Sequence, residues 1–106
     1  MPTLQIQLLG DWQIAYGGTQ LRSVNTARLQ SLLAYLLIHR QAPQSRQQLA
    51  FLFWPDTVDA KARANLRFFL HRLRRALPDA DRFIQIDETS VLWRADAPFT
   101  LDVAAF

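Results

Sequence analysis

The 106-residue chain has no cysteine, which excludes disulfides and thiolate metal sites. Glycine is scarce: there are three residues, two of them adjacent at Gly17-Gly18, so no glycine-rich phosphate loop can be drawn. Lysine occurs once, at Lys61, and the other 11 of the 12 basic residues are arginine. Long apolar runs are missing too. The longest, from Leu32 to Ile38, falls far short of the roughly 20 residues a membrane helix needs. The opening Met1-Pro2-Thr3-Leu4 has no basic stretch and does not read as a signal peptide. With 50% apolar and 20% charged residues, the chain has the balance of one core-forming domain. These absences lead to the expectation of a soluble, cytoplasmic domain.

The net charge is only +3, yet its placement is uneven. Lys61, Arg63, Arg67, Arg72, Arg74 and Arg75 crowd into one segment, and no carboxylate lies between Ala60 and Pro78. Asp56, Asp59, Asp79 and Asp81 flank the block on both sides. Arginine is the side chain suited to bidentate contact with phosphate and guanine, and a concentrated stripe suggests a local polyanion partner.

Periodicity supplies the elements. Leu4, Ile6 and Leu8 alternate with Gln5 and Gln7, a half-buried strand. Gly10-Asp11 predicts a turn, 12–16 a second strand, and Gly17-Gly18 a tight hairpin that returns through 19–22. Asn25 or Thr26 can cap a first helix whose Leu29, Leu32, Leu33, Leu36 and Leu37 form one apolar face through about His39, before Pro43. Ser45 and Gln48 match a capping box for a short second helix with Leu49, Leu52 and Phe53 inward, ended by Pro55-Asp56. A third helix is expected from Asp59 to Leu77. Ala62, Leu66, Phe69, Leu70, Leu73 and Leu77 fall within roughly 60° of one another's mean direction. Its far side carries Lys61, Ala64, Phe68, His71, Arg72 and Arg75, with Arg63, Arg67 and Arg74 along one flank. Residues 82–86 and 91–94 alternate as a closing hairpin around Asp87-Glu88-Thr89-Ser90.

The order of sheet, three helices and hairpin resembles the winged helix of OmpR/PhoB-type regulators. Local motifs are closer to the amino-terminal domain of Streptomyces antibiotic regulatory protein-type activators, in which a bacterial transcriptional activation domain follows. The matching segments are Leu8-Leu9-Gly10, Leu32-Leu33-Ala34-Tyr35-Leu36-Leu37, Ser45-Arg46-Gln47-Gln48-Leu49 and Phe53-Trp54-Pro55-Asp56. They continue with Ala62-Arg63-Ala64-Asn65-Leu66-Arg67, Leu70-His71-Arg72-Leu73-Arg74-Arg75-Ala76-Leu77 and Leu101-Asp102-Val103. The family often has a glycine-aromatic pair in the wing; here the turn has no glycine and the strand reads Val91-Leu92-Trp93.

The resemblance implies an α+β winged helix-turn-helix fold: an amino-terminal three-stranded antiparallel sheet, three helices and a carboxy-terminal β-hairpin wing. It would occupy 1–98, and 99–106 would begin a linker or the following domain. The implied function is sequence-specific binding of double-stranded DNA by a bacterial transcriptional regulator, with the helix 59–77 in the major groove and the hairpin 82–94 as wing. Arg63, Arg67, Phe68, His71, Arg72 and Arg75 are the candidate base or groove contacts, Phe68 against a thymine methyl. Ser45, Arg46, Gln47, Lys61, Arg74, Thr89, Ser90 and Arg94 are candidates for phosphate, the first three through the positive end of the second helix. The loop Pro55, Asp56, Thr57, Val58 and Asp59 resembles the segment that contacts RNA polymerase in the related fold, and is the candidate for that contact. The isolated domain is expected to be a monomer, paired on direct repeats in DNA.

Plainer readings stand beside these. The basic helix face can be a solvated surface, Phe68 a partly buried residue, Trp54 a core anchor. An acidic protein partner would suit the same arginines, as a docking module without DNA binding. Catalysis is not expected. His39 and His71 lie outside metal-ligand spacing, no serine sits in an elbow motif, and the paired carboxylates (Asp79 with Asp81, Asp87 with Glu88) fall at helix ends and turns. No cofactor or metal is implied.

Overall fold

The computed structural model describes residues 3–8 and 12–102. The expectations for Leu9-Gly10-Asp11 and for the tail beyond Asp102 lie outside the described residues. The fold is α+β, with three α-helices between two small sheets.

The first sheet is built on β1 (Leu4–Gln7), which turns Leu4 and Ile6 into the core and Gln5 and Gln7 outward. It pairs antiparallel with β2 (Gln13–Tyr16), in register Leu4 with Tyr16. Gly17 and Gly18 both take positive φ, 58° and 85°, as the expected tight turn requires. The chain returns as β3 (Thr19–Gln20), which is shorter than the sequence suggests, although the Leu21 N–H still bonds to the Ile14 carbonyl at 2.8 Å.

The sheet is four-stranded, not three-stranded. Its free edge beside β1 is taken by β7 (Phe99–Leu101), parallel, giving the order β3-β2-β1-β7. Three residues are too few to announce a strand by alternation. Pairing with a distant edge decides it, and bonds from Leu4 N–H to the Pro98 carbonyl and from Leu8 N–H to Asp102 Oδ1 bracket the strand. Residues 99–101, read from sequence as the start of a linker or of a following domain, take part in the sheet.

Of the two cap candidates for α1 (Ala27–Ile38), Thr26 serves: its Oγ1 accepts from the Leu29 N–H at 3.2 Å. All five leucines of the expected face are buried. Helix α2 (Arg46–Phe53) begins at Ser45, whose Oγ accepts from the Gln48 N–H. Its inward face is Leu49, Ala50 and half-buried Phe53, which lie within about 100° of one another at 100° per residue. Leu52 projects off that face and is exposed, contrary to the sequence reading, together with Phe51.

Helix α3 (Asp59–Ala76) buries Ala62, Leu66, Leu70, Leu73 and Ala76, with Phe69 half-buried at the edge of the stripe. It ends one residue earlier than expected, because Leu77 precedes a proline and is extended (φ −101°, ψ 124°). Asp79 then takes a left-handed conformation, φ 52°, and a short 3-10 turn (Ala80–Arg82) leads into the hairpin of β5 (Ile84–Ile86) and β6 (Ser90–Trp93). A third strand, β4 (Gln44–Ser45), joins that hairpin in the order β4-β6-β5. One core cluster draws on both sheets and all three helices. Trp93 and Phe83 are its largest fully buried side chains, with ring centroids 5.7 Å apart and planes tilted by 31°.

Candidate functional site

Helix α3 presents its basic side to solvent because the core takes the opposite stripe. Its amino-terminal half does not stand alone. Ser45, Arg46 and Gln47 at the start of α2, Ala60, Arg63, Leu66 and Arg67 of α3, and Glu88 and Thr89 of the β5–β6 turn line one open cleft of about 620 Å³. Three segments that are far apart in sequence meet there.

The β4–β6 pairing makes that convergence possible. Ser45 lies opposite Ser90, so the first residue before α2 is also a rung of the sheet that carries the turn. Arg46 reinforces the join: its N–H bonds to the Thr89 carbonyl and its guanidinium to the Asp87 carbonyl, both at 2.9 Å. Asp87 N–H closes the turn onto the Ser90 carbonyl at 2.8 Å. Among the described residues, Asp79 is the only non-glycine with positive φ, so this turn closes with no residue in the left-handed region.

Those bonds also revise the view of α2 as an anion site. The N–H groups of Arg46 and Gln48 are not free, since Thr89 and Ser45 already satisfy them. Arg46 holds the turn in place with a guanidinium that also adds positive charge to the cleft.

A shallower surface adjoins the cleft, lined by Ala64, Arg67, Phe68 and His71. Phe68 is 57% exposed on the outward face, held edge-on by Phe69 at 5.5 Å. The Arg72 guanidinium lies 5.8 Å from the centroids of both rings, and Arg72 is itself half-buried. Lys61 and Arg75 are exposed near the two ends of α3, about 21 Å apart along its axis at 1.5 Å per residue.

The structure does not bring every basic candidate to the cleft. Arg74, on the same flank as Arg63 and Arg67, is ion-paired with Asp81 beyond it. Arg94 sits at the base of the hairpin, donating to the Asp81 carbonyl at 3.0 Å. That is about 17 Å along the strand from Thr89. Arg63 has a looser tie, an exposed pair with Asp59 at 3.7 Å, which competes weakly with an outside anion.

The loop between α2 and α3 exposes Pro55, Asp56, Val58 and Asp59, while Thr57 is half-buried with its N–H on the Trp54 carbonyl. Trp54 is an anchor. It lies against Phe69 at 5.6 Å and Phe53 at 6.2 Å, and the Arg28 guanidinium covers it at 5.1 Å. Arg28, which sequence reasoning did not single out, also donates to the Phe53 carbonyl and so fixes the end of α2. Glu88 is not among the sequence candidates; its place in the cleft depends on the Arg46 bonds, which no local pattern signals.

Comparison of the chain with protein-family models and with curated proteins finds no match. Among the described residues, no helix is long and apolar enough to cross a membrane, and no three His, Cys, Asp or Glu side chains are grouped to hold a metal ion.

Proposed function

We propose that the chain is a winged helix-turn-helix domain that binds double-stranded DNA as part of a bacterial transcription regulator. The observation that carries this reading is the cleft where Arg63 and Arg67 meet the α2 start and the β5–β6 turn. A helix that enters the major groove reads bases with its amino-terminal residues while neighbouring elements follow the backbone. Here the amino-terminal half of α3 is the half flanked by such elements. Arg63, Arg67 and His71 are the base-edge and phosphate donors, Gln47 and Thr89 grip backbone, and Arg72 and Arg75 extend the positive face. The β5–β6 hairpin is the wing, and paired copies on direct repeats remain the proposed arrangement on DNA.

The test is a titration of the domain against random-sequence duplex by fluorescence anisotropy, from about 50 to 200 mM salt. Neutralising about five phosphates gives a log–log slope near −4 to −5. A folded domain that binds no duplex at the lowest salt overturns the proposal.

A second reading, docking to a protein such as RNA polymerase, is favoured by one observation. Phe51 and Val58, 68% and 73% exposed, put apolar surface on α2 and on the α2–α3 loop. The two readings are compatible, because these residues lie outside the cleft lining.

A further inference from the structure

Every polar side chain lining the cleft can donate a hydrogen bond except one. Ser45, Arg46, Gln47, Arg63, Arg67 and Thr89 offer hydroxyl, amide or guanidinium donors, whereas Glu88 offers only a carboxylate. Its position is not left to a loose turn. Arg46 bonds to the carbonyl of the residue before it and of the residue after it, and Asp87 closes the turn onto Ser90. Asp87 is occupied with Gln85, its Oδ2 accepting at 3.2 Å, so Glu88 is the carboxylate of this turn that faces the cleft.

A carboxylate placed among arginines by a turn whose backbone is held on both sides has a definite chemical consequence. It repels a phosphate that the arginines attract, and it is satisfied only by a donor. On duplex DNA, donors on base edges are the exocyclic amino groups: cytosine N4 and adenine N6 in the major groove, guanine N2 in the minor groove. We propose that Glu88 is a specificity-determining residue of the cleft, one that penalises backbone-only binding and is relieved when a base amino group reaches it. The inference rests on the DNA-binding reading above. It follows the general rule that discrimination comes from an unfavourable contact with the wrong partner as much as from a favourable one with the right partner.

The test compares wild type, Glu88→Ala and Asp96→Ala. Asp96 is an exposed carboxylate outside the cleft lining, so its removal changes net charge equally. Each protein is titrated against random-sequence duplex at about 50 mM salt, and wild type and Glu88→Ala each select duplexes from a randomised pool. Unit charges about 6 Å apart across water imply that Glu88→Ala binds random duplex roughly threefold more tightly. Asp96→Ala should change little. The wild-type pool should fix one base pair, in one orientation, at a position where the Glu88→Ala pool is indifferent. If that pair is G·C and inosine in place of guanine abolishes the preference, the minor-groove guanine amine is the donor; a G·C preference that survives inosine assigns cytosine N4, and an A·T preference assigns adenine N6. Identical pools, or equal tightening by Glu88→Ala and Asp96→Ala, overturn the inference and leave DNA binding intact. If none of the three proteins binds or enriches any duplex, the DNA-binding reading itself has failed.

Discussion

The six basic residues of α3 are not equivalent, and the difference can be measured. Arg63 and Arg67 line the cleft, whereas Arg74, about two turns beyond Arg67 on the same flank, is ion-paired with Asp81 outside it. Each arginine that neutralises one phosphate contributes about −0.9 to the log–log salt slope. For a wild-type slope of about −4.5, a fourfold rise in salt weakens binding about 500-fold. Replacing Arg63 and Arg67 with alanine takes the slope to about −2.7, so the same rise costs only about 40-fold. The affinity gap between wild type and the double variant therefore shrinks by roughly twelvefold from 50 to 200 mM salt. Losing the Arg63–Asp59 pair subtracts little from this, because an exposed pair at 3.7 Å contributes ~0–1 kcal/mol. Arg74→Ala is the internal control, and its slope should stay within about 0.3 of wild type. Anisotropy titrations at four salt concentrations give all three slopes. If Arg74→Ala flattens the slope by about 0.9, half the change seen in the double variant, charge density along the helix governs binding and the cleft has no special part in it.

Other consequences concern the scaffold. Trp93, 1% exposed between Phe83 and Phe99, should cost ~3–5 kcal/mol when replaced with alanine, read from urea unfolding with m unchanged; a loss below ~1 kcal/mol would contradict its place in the core. Thr26→Ala should cost ~1 kcal/mol through the lost α1 cap, and Thr26→Ser should restore most of it. The Tyr16 hydroxyl donates to Asp79 Oδ2 at 2.6 Å, and this bond, then desolvation and the charge of Asp79, raise its pKa above the ordinary 10.0. The folded state holds the phenolic proton more tightly than the unfolded chain does. The resulting stabilisation is thus complete below pH 10 and is lost as pH rises through the raised value. Asp79→Gly, which suits the positive φ there, should bring the phenolate absorbance transition of Tyr16 back towards 10; an unchanged transition refutes the assigned cause.

Elements with enough residues to show a period were legible in the sequence. Five leucines at helical spacing made α1, two glycines with positive φ made the β2–β3 turn, and Ser45 capped α2 where its motif stood. The same reasoning failed where the deciding contact was remote and the segment short. β4 has two residues and β7 three, so neither has a period to read. Their partners, β6 and β1, lie at least 45 residues away in sequence. Leu52 was misassigned because an apolar residue beside a helical stripe can fall on either side of it, and Ala50 filled the inward place instead. The basic candidates on α3 were identified by charge, but charge could not tell Arg67, which lines the cleft, from Arg74, which is held by Asp81.

The two-residue strand β4 matters more to the site than its length suggests. Without it, the β5–β6 turn would be a hairpin tip with no fixed relation to the helices, since a two-stranded hairpin is marginal by itself. Through Ser45 opposite Ser90 and the two Arg46 bonds, the turn is joined to the first turn of α2, and α2 packs on α3 through Trp54 against Phe69. Glu88 and Arg63 therefore reach the same cleft by way of a continuous set of short contacts. A partner entering that cleft meets side chains whose backbone positions are already set, so less backbone entropy is lost on binding. Arg46 belongs to this framework as well as to the charged surface. Arg46→Lys would keep the charge yet lose the planar fork that reaches the Asp87 carbonyl, which separates the two contributions.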